Sequence, residues 1–299
     1  MIRLAHLSDL HIGPLPQPRL RELAGKRATG YLNWTKGRAH HHRMDILSAV
    51  LADIASAHVD HVAVTGDLIN IGLEAEYAPG RAMLERVGEP DHVSFVPGNH
   101  DAYIRATAPH ILSAWGPYLT GDHEPKPRNL SEAFPYVRRR GSVALIGVNS
   151  GVPKPPFLAT GTVGRKQRVM LGETLAGLSA EGLARVVMIH HPPFDIGPQK
   201  RLTDYASVAH VLRDSGCDLV LHGHTHKGTV KVLEGPHGAI PVVGVPSASA
   251  NPADRDEPAG WNLIEFDHKD GKAEITLMRR GFAPGGTAIS TLFSRQLTP

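Results

Sequence analysis

The chain has 299 residues, enough to bury a sizeable core, and its 32 Lys and Arg against 29 Asp and Glu leave a formal charge of +3. So mild a basic bias, with aromatics at 5%, argues against a dedicated nucleic-acid binder, and a single cysteine, Cys217, excludes an internal disulfide framework. The outlier is histidine at 19 residues, which points to chemistry by imidazole.

The first strand, residues 2 to 8, runs directly into Asp9-Leu10-His11 and delivers a carboxylate and an imidazole to one sheet edge, a pair suited to a divalent cation. From about residue 13 to 43 the pattern lapses. Pro14, Pro16 and Pro18 are turn signals, and a basic, aromatic stretch follows that contains Lys26, Arg27, Tyr31, Trp34, Lys36, Arg38, Arg43 and the run His40-His41-His42. We read it as a cap insertion. Three readings of residues 19–43 stand open. The cations meet a phosphate-bearing substrate; or, with Tyr31, Leu32 and Trp34, they meet an anionic lipid or membrane surface; or Trp34 and Leu32 pin the segment to the body and the charges face water.

Between Asp45 and Ala57 the apolar positions Leu47, Val50, Leu51 and Ile54 have the spacing of a helix packed on a sheet, and with the strand to Thr65 they complete a βαβ unit. A helix over 74–87 and a strand to Val96 come next. A helical stretch over 102–115, an edge strand over 133–138 and a strand over 143–150 follow. A helix from Arg165 to Leu178, with Val169, Leu171, Leu175 and Leu178 as its apolar residues, precedes a strand over 186–189. A helix over 206–214 then leads to a strand over 219–221. Beyond residue 226 the period becomes two, as in antiparallel strands joined by hairpins. The expected assembly is two sheets face to face with helices outside, one domain over 1–282 and a C-terminal tail over 283–299.

Five strands stop at polar residues, at Asp9 and His11, at Gly66-Asp67-Leu68-Ile69-Asn70, at Gly98-Asn99-His100-Asp101, at His190-His191 and at Gly223-His224-Thr225-His226. Asp9, His11, Asp67, Asn99, His190, His224 and His226 are too many donors for one four-coordinate zinc and suit two ions of higher coordination. Asp67 is the expected bridge, because Gly66 lets the backbone turn tightly before it. The set divides as Asp9, His11, Asp67 and His226 around one ion and Asp67, Asn99, His190 and His224 around the other. His100 is the expected catalytic residue, stabilising phosphoryl oxygens or protonating the leaving group, with Asp101 orienting its ring or capping a helix. Asn70 contacts the leaving group or closes its own loop; His191 contacts substrate or makes a structural hydrogen bond.

Together these motifs resemble the calcineurin-like metallophosphoesterases, whose pattern D-x-H, G-D-x-x-N, G-N-H-D, a lone His after a strand and G-H-x-H is complete here. The resemblance implies a four-layer αββα sandwich, the ligand division above and the same role for His100. His190-His191-Pro192-Pro193 and Pro246-Ser247-Ala248-Ser249 are similar to the class III cyclic-nucleotide phosphodiesterase branch.

The expected function is therefore hydrolysis of a phosphoric ester with two divalent or mixed-valence ions (Mn, Fe or Zn), by in-line attack of a metal-bridging hydroxide on a cyclic nucleotide or small organic phosphodiester. A lipid-linked pyrophosphate, a phospholipid and a phosphomonoester are the alternative substrates; a non-enzymatic module would have lost a ligand or His100. Nucleic acid is not an expected stable partner, and pairing of the C-terminal strands between chains would give a homodimer. With no leader pattern at the start of the chain, the expected location is cytoplasmic, peripheral to a membrane if the cap meets lipid.

Overall fold

A computed structural model describes residues 1–254, 257–269 and 272–297, so the last two positions of the segment read as a tail lie outside the described residues. In chain order the elements are β1 (Ile2–Leu7), α1 (Lys26–Asn33), α2 (Ala39–His41), α3 (Met44–Ser56), β2 (His61–Val64), α4 (Glu74–Val87), β3 (Val93–Phe95) and α5 (Ala108–Trp115). They continue with β4 (Tyr136–Arg140), β5 (Val143–Val148), α6 (Arg165–Ala180), β6 (Ala184–Ile189), α7 (Tyr205–Ser215) and β7 (Leu219–His222). The remaining strands are β8 (Val230–Gly235), β9 (Gly238–Gly244), β10 (Gly260–Lys269), β11 (Lys272–Phe282) and β12 (Ile289–Gln296).

Two mixed six-stranded sheets result, in the orders β12-β11-β10-β1-β2-β3 and β4-β5-β6-β7-β9-β8. In the first sheet the parallel strands β1, β2 and β3 form one end and the antiparallel β10, β11 and β12 the other; in the second, parallel β5, β6, β7 and β9 are flanked by antiparallel β4 and β8. Alternation along each strand decides which layer a residue joins. Val143 and Leu145 of β5, Val186 and Met188 of β6 and Leu219 and Leu221 of β7 join the large core between the sheets. Their neighbours Ala144 and Ile146, Val187 and Ile189, and Val220 face α6 and α7 instead. Leu47, Val50, Leu51 and Ile54 of α3 pack on the first sheet. Helices thus cover both outer faces, and the expected αββα sandwich is what the chain forms.

Several local expectations shift. Val169 is half exposed rather than part of the buried stripe of α6, which consists of Leu171, Leu175 and Leu178. β9 pairs with β8 in the expected hairpin but also runs parallel to β7, so the C-terminal strands divide between the two sheets. Residues 289–296 form an exposed edge strand on β11.

The cap is helical, with α1 continuing through a wide π-type turn at Trp34–Arg38 into α2. The expectation that it contacts lipid or a membrane surface is overturned. Among the described residues no helix is long and apolar enough to cross a membrane, and the cap's aromatic residues point inward. Trp34 is buried, and Tyr31 packs on the cluster of Ile71, Leu73 and Tyr103. Only Leu20 and Leu32 present large apolar side chains outward from this segment.

Trp115 sits fully buried where α5 meets α4 and the first sheet, its ring beside Tyr77 and Phe95 and its Nε1 donating to the Tyr77 carbonyl at 3.2 Å. Trp115→Ala should lower the unfolding free energy by about 3–5 kcal/mol, seen in urea denaturation as a lower midpoint with an unchanged slope.

Candidate metal centre

The carboxyl-terminal ends of β1, β2, β3, β6 and β7 converge, the side of an open α/β sheet on which ligands bind. The loops after β1 and β2 run together through Asp9 N to Gly66 O at 2.9 Å, His11 N to Asp67 O at 3.1 Å and Ile12 N to Leu68 O at 3.0 Å. Five of the seven predicted ligands, Asp9, His11, Asp67, His224 and His226, have φ between 42° and 65°. Side chains rarely adopt this left-handed conformation, and its concentration at one place marks strain held for function. Gly66 has φ of 100°, and a Cβ there would stand 2.6 Å from His190 Nδ1, so the loop reaches the second sheet only because residue 66 lacks one.

All seven predicted ligands are brought together. His190 Nε2 lies 3.3 Å from both Asp67 Oδ2 and Asn99 Oδ1, His11 Nε2 3.8 Å from Asp67 Oδ2, and His226 Nε2 3.2 Å from Asp9 Oδ1. Donor atoms fall into overlapping groups within 4.8 Å of one another: Asp9, His11 and His226; Asp9, Asp67 and His190; His11, Asp67 and His100; and His190, His191 and His224. These clusters are consistent with a dinuclear metal site.

The hydrogen bonds behind the imidazoles suit that use. Carbonyl oxygens only accept, so His190 Nδ1 donates to Thr65 O at 2.6 Å, His11 Nδ1 to Ile69 O at 3.3 Å and His224 Nε2 to Lys200 O at 2.9 Å. The opposite nitrogen of each ring faces the centre, the usual arrangement behind a metal ligand, and a cation would replace its present neighbour, Asp67 at His190 Nε2 and Arg38 at His11 Nε2. Asp9 Oδ1 is buried with only His226 Nε2 beside it at 3.2 Å and no well-formed hydrogen bond, a state that a cation would improve.

Electrostatics point the same way. Burial opposes ionisation of Asp67, yet His190, by its charge and its hydrogen bond, holds it well below the usual carboxylate range; Asp9 is lowered against the same opposition by His226 and His190. Burial would lower His190, but Asp67, its hydrogen bond and Asp9 raise it to about 9. For His100 burial and then Arg38 outweigh Asp67 and bring the ring down to about 3, leaving it neutral.

Other predicted residues take different parts. His100 Nδ1 donates to the Asn70 carbonyl, so Asn70 orients that ring and Asp101 does not. Asp101 instead joins the β2 and β3 loops, its Oδ1 accepting from Leu68 N at 2.9 Å and Ile69 N at 3.1 Å and its Oδ2 from Gly98 N at 2.8 Å. The Asn70 side chain donates to Ile12 O at 2.7 Å and closes its loop. His191 is buried, with Nε2 donating to Ala159 O at 3.1 Å and Nδ1 accepting from Ser150 Oγ at 2.8 Å; both nitrogens are occupied by structural partners rather than offered to a substrate.

Sequence reasoning did not single out His42 or Ser247. His42 packs against His11 with ring centroids 4.4 Å apart and bonds Ser249 Oγ at 2.8 Å; Ser247 Oγ donates to Asp9 O at 2.6 Å. The Pro246–Ser249 turn was visible as a motif, but its contact with the β1 loop was not. A cleft of about 440 Å³ opens over the centre, lined by Arg38, Lys200, Lys227, Glu257 and the site residues Asp67, Asn99, His100, His224 and His226, among others. A larger recess of about 680 Å³ contains Arg138, Arg139 and Arg140, but these already bond backbone carbonyls, Glu181 and Asp122.

Comparison with known proteins agrees with this geometry. The family described as calcineurin-like phosphoesterase matches residues 2–228. A protein of Rhodococcus erythropolis named a probable cyclic nucleotide phosphodiesterase is 29% identical over 197 residues, 64% of this chain and 58% of that one, so the chain spans less than two thirds of that relative. A dimetal phosphatase from Danio rerio superposes with a TM-score of 0.63 at 13% identity over 99% of both chains. A purple acid phosphatase from yellow lupin gives 0.62 at 14% identity over 99% of this chain and 53% of its own. At such identities the two structures show the fold alone.

A cation at His190 Nε2 must displace the proton that Asp67 holds there. That proton is bound below about pH 9 and lost above it, so metal uptake should release protons near neutrality and release fewer as pH rises through about 9. Calorimetric titration with Mn²⁺ in buffers of different ionisation heat between pH 6.5 and 10 counts them.

Proposed function

We propose that this chain, which belongs to the calcineurin-like phosphoesterase family, hydrolyses a small organic phosphodiester, with cyclic nucleotides as the leading candidates. The carrying observation is the convergence of seven O and N donors from five strand ends, the rings turned toward the centre by backbone carbonyls. Asp9, His11, Asp67 and His226 would hold one divalent ion and Asp67, Asn99, His190 and His224 the other, with Mn, Fe or Zn all compatible with that donor set. Bound there, such a pair supplies Lewis-acid charge and lowers the pKa of water towards neutrality.

The chain's own residues supply the rest. Asp67 stands between both donor groups, and Asn99 contributes an oxygen without adding negative charge opposite a phosphate. His100 N donates to Asp67 Oδ1 at 2.8 Å and fixes which carboxylate oxygen is left free. Arg38, Lys200 and Lys227 make the cleft attractive to anions, and its volume is that of a small-molecule site, about 300–1,000 Å³. The likeness to a probable cyclic nucleotide phosphodiesterase, together with the His190–Pro193 and Pro246–Ser249 motifs, supports the diester.

Mn²⁺-loaded protein should hydrolyse bis(p-nitrophenyl) phosphate and 3′,5′-cyclic nucleotides with higher kcat/KM than p-nitrophenyl phosphate. Asp67→Asn should lose on the order of 10³-fold in kcat. Preference for the monoester would overturn the diester assignment, and inactivity on every ester with two ions bound would overturn the enzyme reading.

A further inference from the structure

Five cations of the cap segment could have faced a phosphate, and four are otherwise disposed. Lys26 Nζ donates to Leu158 O at 3.1 Å, Arg27 to the carbonyls of Ile71 and Gly72, and Arg43 pairs with Asp45 at 2.6 Å, while Lys36 is exposed. Arg38 alone of the five lines the cleft. Its Nη1 lies 2.9 Å from His100 Nε2 and its Nη2 3.3 Å from His11 Nε2. A guanidinium has five N–H donors and no acceptor, so it is the donor in both contacts. Because His100 Nδ1 donates to the Asn70 carbonyl, the Nε2 lone pair of His100 faces Arg38.

The segment is built to hold that position. Trp34, four residues earlier and so on the same helical face, is buried with its ring parallel to His42 at 6.3 Å. Gly30 admits Tyr103, whose hydroxyl would stand 2.2 Å from a Cβ at residue 30. The turn that ends in Arg38 is π-helical, a form often found at functional sites.

We propose that Arg38 is a catalytic residue of this centre, its fork donating to the non-bridging oxygens of the phosphoryl group under attack, with His100 as its positioning residue. The inference rests on the phosphoesterase reading and deepens it. A cation on His11 Nε2 would take that ring's lone pair from Arg38, which leaves the contact to His100 and frees Nη2 for the cleft; a planar fork there suits a pair of phosphoryl oxygens better than a point charge does. No atom passes through Arg38. Water gives its hydroxyl to phosphorus and its proton to the departing oxygen as the P–O bond breaks.

In Mn²⁺-loaded protein, Arg38→Ala should reduce kcat/KM for bis(p-nitrophenyl) phosphate by about 10²- to 10³-fold, with bound metal unchanged by elemental analysis and the inhibition constant of inorganic phosphate raised about tenfold or more. Arg38→Lys, which keeps charge and packing, should recover only a small part, and added guanidinium should partly restore Arg38→Ala. His100→Ala should be much less harmful in the Arg38→Ala background than alone, as two members of one unit require.

Full turnover and unchanged phosphate inhibition in Arg38→Ala, or complete rescue by lysine, would overturn the assignment. Loss of bound metal in both variants would do so as well, and additive effects with His100→Ala would remove the positioning role. If the wild type binds two ions but cleaves no ester, the phosphoesterase reading fails. Calorimetry of phosphate binding to wild type and Arg38→Ala then decides Arg38 separately, equal affinity overturning it and weaker binding to the variant supporting it.

Discussion

Two carboxylates buried beside one another set the terms for this molecule. Asp9 and Asp67 stand at the ends of adjacent parallel strands, both almost wholly removed from water. Two unanswered like charges in such a place would cost several kcal/mol each. The chain answers with the imidazoles of His190 after β6 and His226 after β7, and with backbone N–H groups of His100 and His224 on the carboxylates. The histidines of the second sheet reach those acids at the edge of the apolar core that holds the two sheets face to face.

That demand explains the backbone. A strand that simply continued would set Asp9 and His11, or His224 and His226, on one face roughly 6–7 Å apart; all four residues instead take the left-handed conformation, and the chain turns at the site. Such turns persist only where the surroundings over-determine them. Here Asp101 supplies part of that support, tying the loop after β2 to the loop after β3 with one buried carboxylate. Glu76 does the same for Asn70, Ile71 and Leu73.

Much of this was legible in the residues because the signals are local. The stripe Leu47, Val50, Leu51, Ile54 is a property of one helix, and a polar stop after an apolar strand is a property of a few neighbouring residues. What was not legible is relational. Alternation shows that β8 to β12 are strands but not which neighbour each takes, and β9 takes β7 in parallel although a hairpin joins it to β8. Asp101 follows His100 in the chain, yet the carbonyl that holds the His100 ring belongs to Asn70, thirty residues earlier. In the cap, five cations looked equivalent until Trp34 turned inward and left Arg38 over the centre.

The strands that contribute no ligand are nevertheless joined to the site by a chain of forced hydrogen bonds. Arg279 on β11 can only donate, so the Asn262 side chain on β10 must turn its oxygen to Arg279 Nε at 3.1 Å and its amide to His6 Nδ1 at 3.2 Å. His6 therefore carries its proton on Nε2 and donates it to Thr65 Oγ1 at 3.0 Å; burial, first of several causes, holds the ring well below the usual histidine range. The backbone oxygen of the same Thr65 is the acceptor that fixes His190. Every member of this line is buried, and in such surroundings a satisfied polar network specifies one arrangement where apolar packing would tolerate several. Arg279 also donates to the carbonyls of Gly228 and Gly244, beside the turn that carries His224 and His226. One guanidinium on a strand distant in sequence thus constrains both the ring on β6 and the loop after β7, which is how the antiparallel margin of the first sheet takes part in a site built from parallel strand ends.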